Sequence, residues 1–392
     1  MTRIALVTPI LPVPYDPTRG RYIYETAVAL SRIAEVRVFF MQQKYPGIFR
    51  NSARSALYGV APEGYTIDGL EMESFTYPAL PLVTRAINGR VASRVLMPRL
   101  RSYNPDVALA YWVYPDGFAT LQASRKLNIP CIVGALGSDI HVRSGHNELM
   151  TRRTIGGVDA LLTVSEDMRG AAIKKYGAAP DRVHTIVNGF NTGVFRVRSR
   201  SAARKELGLT DDARLLIYVG RLVETKGMRE LVQAYQALHG RDPRLHLVIV
   251  GDGVMRDELA ALLDSAGLRG CSTMTGGLTP DQVAQWIAAS DVLTLPSWSE
   301  GYPNVVVESI ACGRPVVATD VGGTREIVSE HNGILIKPRD PKVLEQALGS
   351  ALARDWDENA IAATLNRSWD DVAQDTLRVC QQVIELRNRA SR

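Results

Sequence analysis

Short apolar segments typical of buried strands alternate with helical segments along both halves of the chain. The candidate strands are Ile4–Thr8, Glu35–Met41, Asp106–Tyr111, Pro130–Gly134, Asp159–Val164 and Val183–Val187 in the first half, and Leu215–Val219, Leu247–Val250, Asp291–Pro296, Pro315–Thr319 and Gly333–Ile336 in the second. This alternation is typical of open parallel sheets covered by helices. With 392 residues and 46% hydrophobic content, the chain can form two domains of roughly 190 residues, each with its own core. We therefore predict an α/β protein with domains at residues 1–190 and 191–370.

The loop after the candidate strand Asp291–Pro296 leads to two carboxylates, Glu300 and Glu308, which stand eight residues apart. The apolar run from Val305 to Cys312 predicts a helix, so the loop joins the carboxyl end of a strand to a helix, and Gly301 fits such a loop. Ligands of open α/β sheets gather at this position, and the first N–H groups of a helix are suited to a phosphate. The sequence therefore predicts a ligand site here.

Two carboxylates beside a phosphate would repel it unless they bound something else, and hydroxyl groups are the natural target. A carboxylate accepts paired hydrogen bonds from a vicinal diol, and such charge-assisted bonds are roughly twice as strong as neutral ones. A sugar nucleotide offers both diols and a diphosphate. Taken alone, Glu308 has a simpler explanation, because in the first turn of a helix it would complement the helix dipole, worth about 0.3–1 kcal/mol.

A second charged loop follows the candidate strand Leu215–Val219. It runs from Gly220 to Gly227 and places Arg221 and Lys226 at the turn between a strand and a helix. Arginine supplies a planar fork of donors and lysine a point charge, so the pair could neutralise the charge that builds on a departing nucleoside diphosphate.

These loops resemble the E-x7-E signature of the retaining glycosyltransferases of family 4, with Glu300 and Glu308 at its two glutamates. The resemblance is nearly continuous from Leu215 to Pro338. It implies the GT-B fold, in which two Rossmann-like domains face each other across a deep cleft. It also implies that a C-terminal helix, here at about residues 370–392, packs back on the N-terminal domain.

The resemblance assigns roles to individual residues. Arg221 and Lys226 would stabilise the diphosphate and Glu300 would hold hydroxyls of the transferred sugar, which makes these three residues catalytic candidates. Glu308 would bind the ribose diol. The other donor-binding candidates are Gly20, which lets the backbone approach the diphosphate, Gly277 and Leu278 in a base-binding loop, and Gly301, Asn304 and Val305 around the helix N-terminus.

The N-terminal half matches the family less closely. Relatives often carry a Gly-Gly pair where this chain has Gly20 and Arg21, and Arg21 would either intrude on the diphosphate or add charge to the site. The segment that ends at Asp139 resembles one that faces the transferred sugar and the acceptor, which makes Asp139 the fourth catalytic candidate and His141 a further candidate. Relatives frequently have His or Arg at the position of Leu136.

Charge divides unevenly between the halves. Residues 1–190 hold 22 Lys+Arg against 15 Asp+Glu, a net +7, and the remainder holds 24 against 26, a net −2, which together give the formal +5. Basicity thus belongs to the predicted acceptor-binding domain. Its segment Val83–Arg101 interleaves five arginines with apolar residues. This pattern fits either a helix in peripheral contact with an anionic membrane or an ordinary surface helix with solvated charges.

Several other classes of protein are disfavoured. The chain has no G-x-G-x-x-G after its first strand and no P-loop motif, the pattern of Asp and His residues does not suggest a metal, and the modest basic excess lacks the aromatic patch of a nucleic-acid-binding protein. We therefore expect no cofactor or metal besides the nucleotide-sugar co-substrate. Four scattered cysteines, no signal segment and no run of ~18 apolar residues favour a cytoplasmic protein, at the inner face of the membrane if the arginine-rich segment binds lipid.

The combined interpretation is a retaining hexosyltransferase that moves a sugar from a nucleoside diphosphate to an acceptor hydroxyl. UDP is favoured over GDP only by its prevalence among relatives. A lipid-linked glycan of cell-surface polysaccharide fits the basic N-terminal half, while sucrose synthesis, glycogen-type extension and small-molecule glycosylation stay open. The alternatives are a GT-B sugar-nucleotide epimerase, which needs no acceptor, and a non-catalytic subunit that binds a sugar nucleotide.

Overall fold

The computed structural model describes residues 1–14, 16, 18–45, 61, 64–79, 87–141 and 145–390. The chain divides into two compact units, one formed by Met1–Asn188 with Trp369–Arg392 and the other by Gly189–Ser368. These divisions fall two residues before the boundaries at 190 and 370 that the sequence suggests. Each unit is built around one parallel sheet, so the predicted α/β class is confirmed.

The N-terminal unit contains a seven-stranded parallel sheet with the order β3-β2-β1-β4-β5-β6-β7. Its strands are β1 (Arg3–Thr8), β2 (Glu35–Lys44), β3 (Met72–Pro78), β4 (Val107–Tyr111), β5 (Cys131–Gly134), β6 (Ala160–Thr163) and β7 (Val183–Thr185). Its helices are α1 (Arg21–Ser31), α2 (Asn88–Tyr103), α3 (Phe118–Leu127), α4 (Ser138–His141), α5 (Gly145–Ile155) and α6 (Glu166–Tyr176). All five residues of β4 are buried, as expected for a central strand covered on both faces.

The C-terminal unit contains a six-stranded parallel sheet with the order β10-β9-β8-β11-β12-β13. Its strands are β8 (Arg214–Val219), β9 (Leu245–Val250), β10 (Ser272–Gly276), β11 (Val292–Leu295), β12 (Val316–Thr319) and β13 (Gly333–Ile336). Its helices are α7 (Arg200–Glu206), α8 (Met228–His239), α9 (Arg256–Ser265), α10 (Pro280–Ala289), α11 (Asn304–Ala311), α12 (Pro341–Ala353) and α13 (Glu358–Ala363). This is the doubly wound order 3-2-1-4-5-6, whose ligand crevice lies where the order reverses, here between β8 and β11.

The last helix, α14 (Trp369–Ala390), belongs to the N-terminal unit and packs on α1. Val372, Val379 and Val383 are buried in the same apolar cluster as Ile23 of α1. An exposed ion pair also joins the two helices, with Arg32 Nη1 2.8 Å from Asp370 Oδ1. The C-terminal helix therefore completes the core of the unit in which the chain begins.

All of the predicted strands, including the outermost β7 and β13, are found within three residues of their predicted ends, while β3 and β10 were not predicted. Each of these two is an outermost strand of its sheet and is only partly buried, so neither carries a continuous apolar run. Of the arginine-rich segment, residues 83–86 lie outside the described residues, and α2 begins at Asn88. Among the helices that are described, none is long and apolar enough to cross a membrane.

Candidate active site

The loop after β8 leaves the sheet at the reversal of strand order. Gly220 N–H donates to Val250 O, and Leu222 N–H donates to Asp252 O, both at 2.9 Å. These bonds fix the backbone on either side of Arg221, whose side chain is exposed and has no hydrogen-bond or ion-pair partner among the described residues. The loop therefore presents a guanidinium from a fixed backbone position.

The same loop packs against the end of β11 through a glycine. Gly227 has φ +70°, and a Cβ there would lie 2.1 Å from Pro296 O, so no other residue fits without a backbone shift. Trp298 N–H donates to Thr225 O at 2.8 Å. These contacts lock the loop after β8 to the loop after β11, which carries Glu300.

Locking the two loops brings together two of the predicted catalytic residues. Lys226 Nζ donates to Glu300 Oε1 at 2.5 Å, and the side chains are 17% and 10% exposed. An ammonium has three donors, so Lys226 can hold Glu300 with one N–H and offer others to an anion. The lysine also offsets the negative charge of the Glu300 carboxylate.

A third loop, after β12, joins this arrangement and was not predicted from the sequence. Gly322 has φ +52°, and a Cβ there would lie 1.9 Å from Glu300 O. Gly323 N–H donates to Gly301 O at 3.0 Å. The available signal was the Gly-Gly pair that follows the predicted strand Pro315–Thr319, because paired glycines after a strand indicate a close backbone approach.

Helix α11 begins at Asn304, with Pro303 preceding it as the cap. The first N–H groups of a helix have no acceptor within it, so the amides of Asn304 and Val305 lie where an anion can bind. Glu308 is the fifth residue of α11 and belongs to the second turn. The interpretation that Glu308 complements the dipole in the first turn is therefore wrong.

Glu308 lies close enough to influence a buried thiol. The pKa of Cys312 is raised to about 12, mainly because the thiol is buried and secondly because the negative charge of Glu308 disfavours a thiolate. Glu308 itself is half-buried. Its carboxylate therefore stands at the edge of the core, one helical turn beyond Asn304.

The predicted base-binding residues lie beside the loop after β9. Gly251 N–H donates to Gly276 O at 2.8 Å, which joins the loops after β9 and β10. Gly277 is exposed, while Leu278 is half-buried against the core. Thr279 then caps α10 in a capping box with Gln282.

The N-terminal site candidates are organised differently. Gly20 caps α1 with φ +62°, and a Cβ there would lie 2.7 Å from Ile10 O. Arg21 Nε donates to Glu25 Oε1 at 2.7 Å, and its guanidinium lies over the ring of Tyr24. Arg21 is therefore engaged by its own helix.

Asp139, the fourth catalytic candidate, is 0% exposed. Its Oδ1 accepts the N–H groups of Leu136 and Gly137, both at 2.9 Å, and its Oδ2 accepts Val113 N–H at 3.3 Å. These bonds tie the turn after β5 to the turn after β4, so the observed role of Asp139 is to position loops. His141 Nε2 lies 3.6 Å from Asp167 Oδ2.

No group of three or more metal-ligating side chains occurs within the part of the chain that the structure describes. The site in the C-terminal unit thus consists of two cations, two carboxylates and a helix N-terminus, at the strand reversal of a doubly wound sheet. Two Rossmann-like units of this kind define the GT-B class of glycosyltransferases.

Comparison with known proteins agrees with this class. Residues 199–364 match the family described as Glycosyl transferases group 1, and residues 20–194 match Glycosyltransferase Family 4. A Bacillus subtilis protein named for teichuronic acid biosynthesis, the glycosyltransferase TuaC, is 32% identical over 74% of this chain and 73% of its own. The D-inositol 3-phosphate glycosyltransferase of Frankia alni is 30% identical over 68% and 72% of the two chains. The chain therefore belongs to glycosyltransferase family 4 and is a glycosyltransferase.

The fold is also similar to that of solved structures. Anabaena Alr3699/HepE in complex with UDP-glucose superposes with a TM-score of 0.71 at 19% identity, covering 98% of this chain and 99% of that one. At this identity the similarity concerns the fold, and the GT-B prediction is confirmed.

Proposed function

We propose that the protein is a retaining glycosyltransferase that transfers a hexose from a nucleoside diphosphate sugar to an acceptor hydroxyl. The observation that carries the proposal is the close Lys226–Glu300 pair beside the unpartnered Arg221 and the start of α11. Two cations and a helix N-terminus suit a diphosphate, and two carboxylates suit hydroxyl groups. A sugar nucleotide combines these groups in one molecule.

In the proposed complex, Arg221, Lys226 and the N–H groups of Asn304 and Val305 hold the diphosphate, and Glu300 accepts hydrogen bonds from the transferred sugar. Glu308 accepts bonds from the ribose diol, while Gly277 and Leu278 border the base. UDP is the proposed nucleotide. The fold shared with a protein solved in complex with UDP-glucose supports this choice over GDP.

The proposed reaction breaks the bond between the anomeric carbon and the diphosphate oxygen and forms a bond from that carbon to the acceptor oxygen on the same face. The acceptor proton passes to an oxygen of the departing diphosphate. No covalent protein nucleophile takes part. Negative charge grows on the leaving group, so cations and N–H groups already fixed in place stabilise the transition state more than the ground state.

The proposed acceptor is a lipid-linked glycan of a cell-surface polysaccharide. The excess of +7 over residues 1–190 supports an anionic acceptor or surface, and a relative named for teichuronic acid biosynthesis supports a polysaccharide product. Helix α2 presents Arg90, Arg94 and Arg101 on exposed positions. None of the three has a hydrogen-bond or ion-pair partner among the described residues, which supports peripheral contact with an anionic membrane.

The donor is tested by thermal unfolding of the wild type and Glu308→Ala with UDP, GDP, ADP and their sugar conjugates, each with and without EDTA. A ligand at 100 times its Kd adds about 2.7 kcal/mol of stability. We expect UDP and one UDP-sugar to stabilise the wild type but not the variant. If no nucleotide stabilises the wild type, the donor proposal is wrong, and stabilisation that disappears with EDTA would contradict the expected independence from metal.

The reaction itself is tested by turnover of the isolated chain. Once a donor is known, NMR of the product reports whether the anomeric configuration of the donor is retained. An inverted product would refute the proposed same-face attack. Epimerisation of the donor without an acceptor would identify the protein as an epimerase, and nucleotide binding without turnover would indicate a non-catalytic subunit.

A further inference from the structure

The buried tyrosine at the end of β8 connects the core to the charged loop. Tyr218 is the penultimate residue of β8 and is 0% exposed. Its hydroxyl donates to the carbonyl oxygen of Arg221 at 2.9 Å. A strand residue thus holds the backbone of a loop residue three positions ahead.

This contact depends on the glycine between the two residues. A Cβ on Gly220 would lie 2.8 Å from the Tyr218 hydroxyl, so the missing side chain leaves room for the phenol to reach Arg221. The Arg221 carbonyl also accepts Val223 N–H at 3.1 Å. With the flanking residues bonded to Val250 and Asp252, the backbone of Arg221 is held on both sides and at its carbonyl.

Tyr218 also lies within electrostatic range of the site. The pKa of its hydroxyl is raised well above the usual range, first by burial and then by the negative charge of Glu300, while Arg221 opposes the shift. The hydroxyl therefore stays protonated and remains a donor. Glu300 and Arg221, whose charges act on this hydroxyl, both belong to the candidate site.

We infer that Tyr218 is a positioning residue of this enzyme, whose hydroxyl fixes the Arg221 backbone and so directs the exposed guanidinium toward the donor. The diphosphate contact of Arg221 rests on the proposed function, whereas the backbone contact does not. Cations fixed before the reaction stabilise developing charge without reorganising. Losing one neutral hydrogen bond commonly changes an equilibrium by about 3- to 10-fold, and we expect effects of that size.

The test compares Tyr218→Phe with Tyr235→Phe. Tyr235 is also buried, and its hydroxyl lies within hydrogen-bond distance of Leu245 O, at 2.9 Å, and Cys271 O, at 2.5 Å. Both carbonyls lie at the amino ends of strands, opposite the end of the sheet that carries the Arg221 loop. Both variants lose a buried hydroxyl, so general destabilisation is matched. We expect amide hydrogen exchange over residues 220–227 to accelerate about 3- to 10-fold in Tyr218→Phe only.

A second readout is the affinity for UDP. We expect Tyr218→Phe to weaken UDP binding about 3- to 10-fold and Tyr235→Phe to leave it unchanged. On an Arg221→Ala background, Tyr218→Phe should cause no further loss, because both changes act through one guanidinium.

The outcomes separate this inference from the proposed function. Equal exchange over residues 220–227 in the two tyrosine variants would overturn the positioning role of Tyr218. Faster exchange in Tyr218→Phe, together with wild-type binding of UDP, GDP and ADP by Arg221→Ala, would support the positioning role and refute the proposed diphosphate contact.

Discussion

The two sheets have related strand orders but use the charges at their carboxyl ends differently. In the C-terminal unit, Arg221, Lys226 and Glu300 lie on loops locked by backbone contacts, and each side chain stays at least partly exposed. In the N-terminal unit, Asp116 and Asp139 follow β4 and β5, and they are only 2% and 0% exposed. The C-terminal unit leaves these charged side chains partly exposed, while the N-terminal unit buries Asp116 and Asp139 within its own loops.

This difference shows why strand order alone does not locate a function. A doubly wound sheet provides the crevice, but the chemistry depends on which side chains are held at its rim. In the C-terminal unit, glycines at 227 and 322 allow loop backbones to meet, so side chains are free to face outward. In the N-terminal unit, the loops after β4 and β5 are held together by the Asp139 carboxylate, whereas backbone contacts hold the loops of the C-terminal unit together.

The largest expected effect is the loss of a presented cation. Arg221→Ala and Lys226→Ala should each lower turnover about 10²–10³-fold while circular dichroism stays unchanged. The matched control is Arg244→Ala, which removes an exposed arginine that pairs with Asp242. Arg244 lies just before β9, at the amino ends of the strands and away from the site. Turnover near that of the wild type in either site variant would contradict the proposed role of that cation in stabilising the departing diphosphate.

The next effect concerns a buried charge of the N-terminal unit. Burial raises the pKa of Asp116 from 3.8 to about 8, so between these values the folded state binds more protons than the unfolded state. Stability should therefore fall as pH rises, by about 1.4 kcal/mol per pH unit. Asp116→Asn should remove this slope, which urea unfolding between about pH 5 and pH 8 measures.

Subtracting the two stability curves isolates Asp116, because other titrating groups are common to both proteins. They include His184 and His246, whose pKa values are lowered by burial. If the free energies of unfolding of the wild type and Asp116→Asn changed with pH in parallel, the folded protein would stabilise the ionised form of Asp116. The buried carboxylate of Asp116 would then differ less from the partly exposed charges of the C-terminal unit than its burial indicates.

A smaller effect is expected at Asp139. Asp139→Asn replaces one acceptor oxygen by a donor facing the N–H of Val113, which should lower stability by about 1–3 kcal/mol. Stabilisation by UDP should persist, because the charged donor-binding candidates belong to the other unit. A loss of UDP binding as complete as in Glu308→Ala, or a turnover loss as large as in Arg221→Ala, would instead give Asp139 a direct role in the reaction.

The smallest effect is expected on the surface of α2. Arg94→Ala should weaken binding to phosphatidylglycerol vesicles by about 1 kcal/mol, and raised salt should weaken the wild type similarly. Arg269→Ala removes another exposed arginine, whose side chain is 83% accessible, from the C-terminal unit and serves as the control. Equal flotation of the wild type with neutral and anionic vesicles would remove the membrane proposal.

Sequence reasoning located the interior strands and the charged loops because both leave local signals. Interior strands such as β4 are continuous apolar runs, and the loops combine glycine with unusual charge. The edge strands β3 and β10 were missed because partial exposure lets polar residues interrupt their patterns. The burial of Asp139 could not be predicted either, since it depends on Val113, 26 residues away.

The loop at Gly322 has a local sequence signal, but its contact depends on residues distant in the sequence. Its glycine pair was visible in the sequence, but its contact with Glu300 exists only once β11 and β12 are paired. The Lys226–Glu300 pair likewise joins residues 74 positions apart. The sequence therefore predicted all four charged residues of the candidate site, while the distances between them depend on the sheet.

The position of α14 bears on how this protein is made. Val372, Val379, Cys380 and Val383 of this last helix are buried in the N-terminal core, so a ribosome must synthesise all of Gly189–Ser368 before that core can close. Domains generally fold as units in the order of synthesis, but here the first unit to emerge should be the last to finish. Until this helix is synthesised, the apolar residues of α1 that it covers stay exposed to solvent.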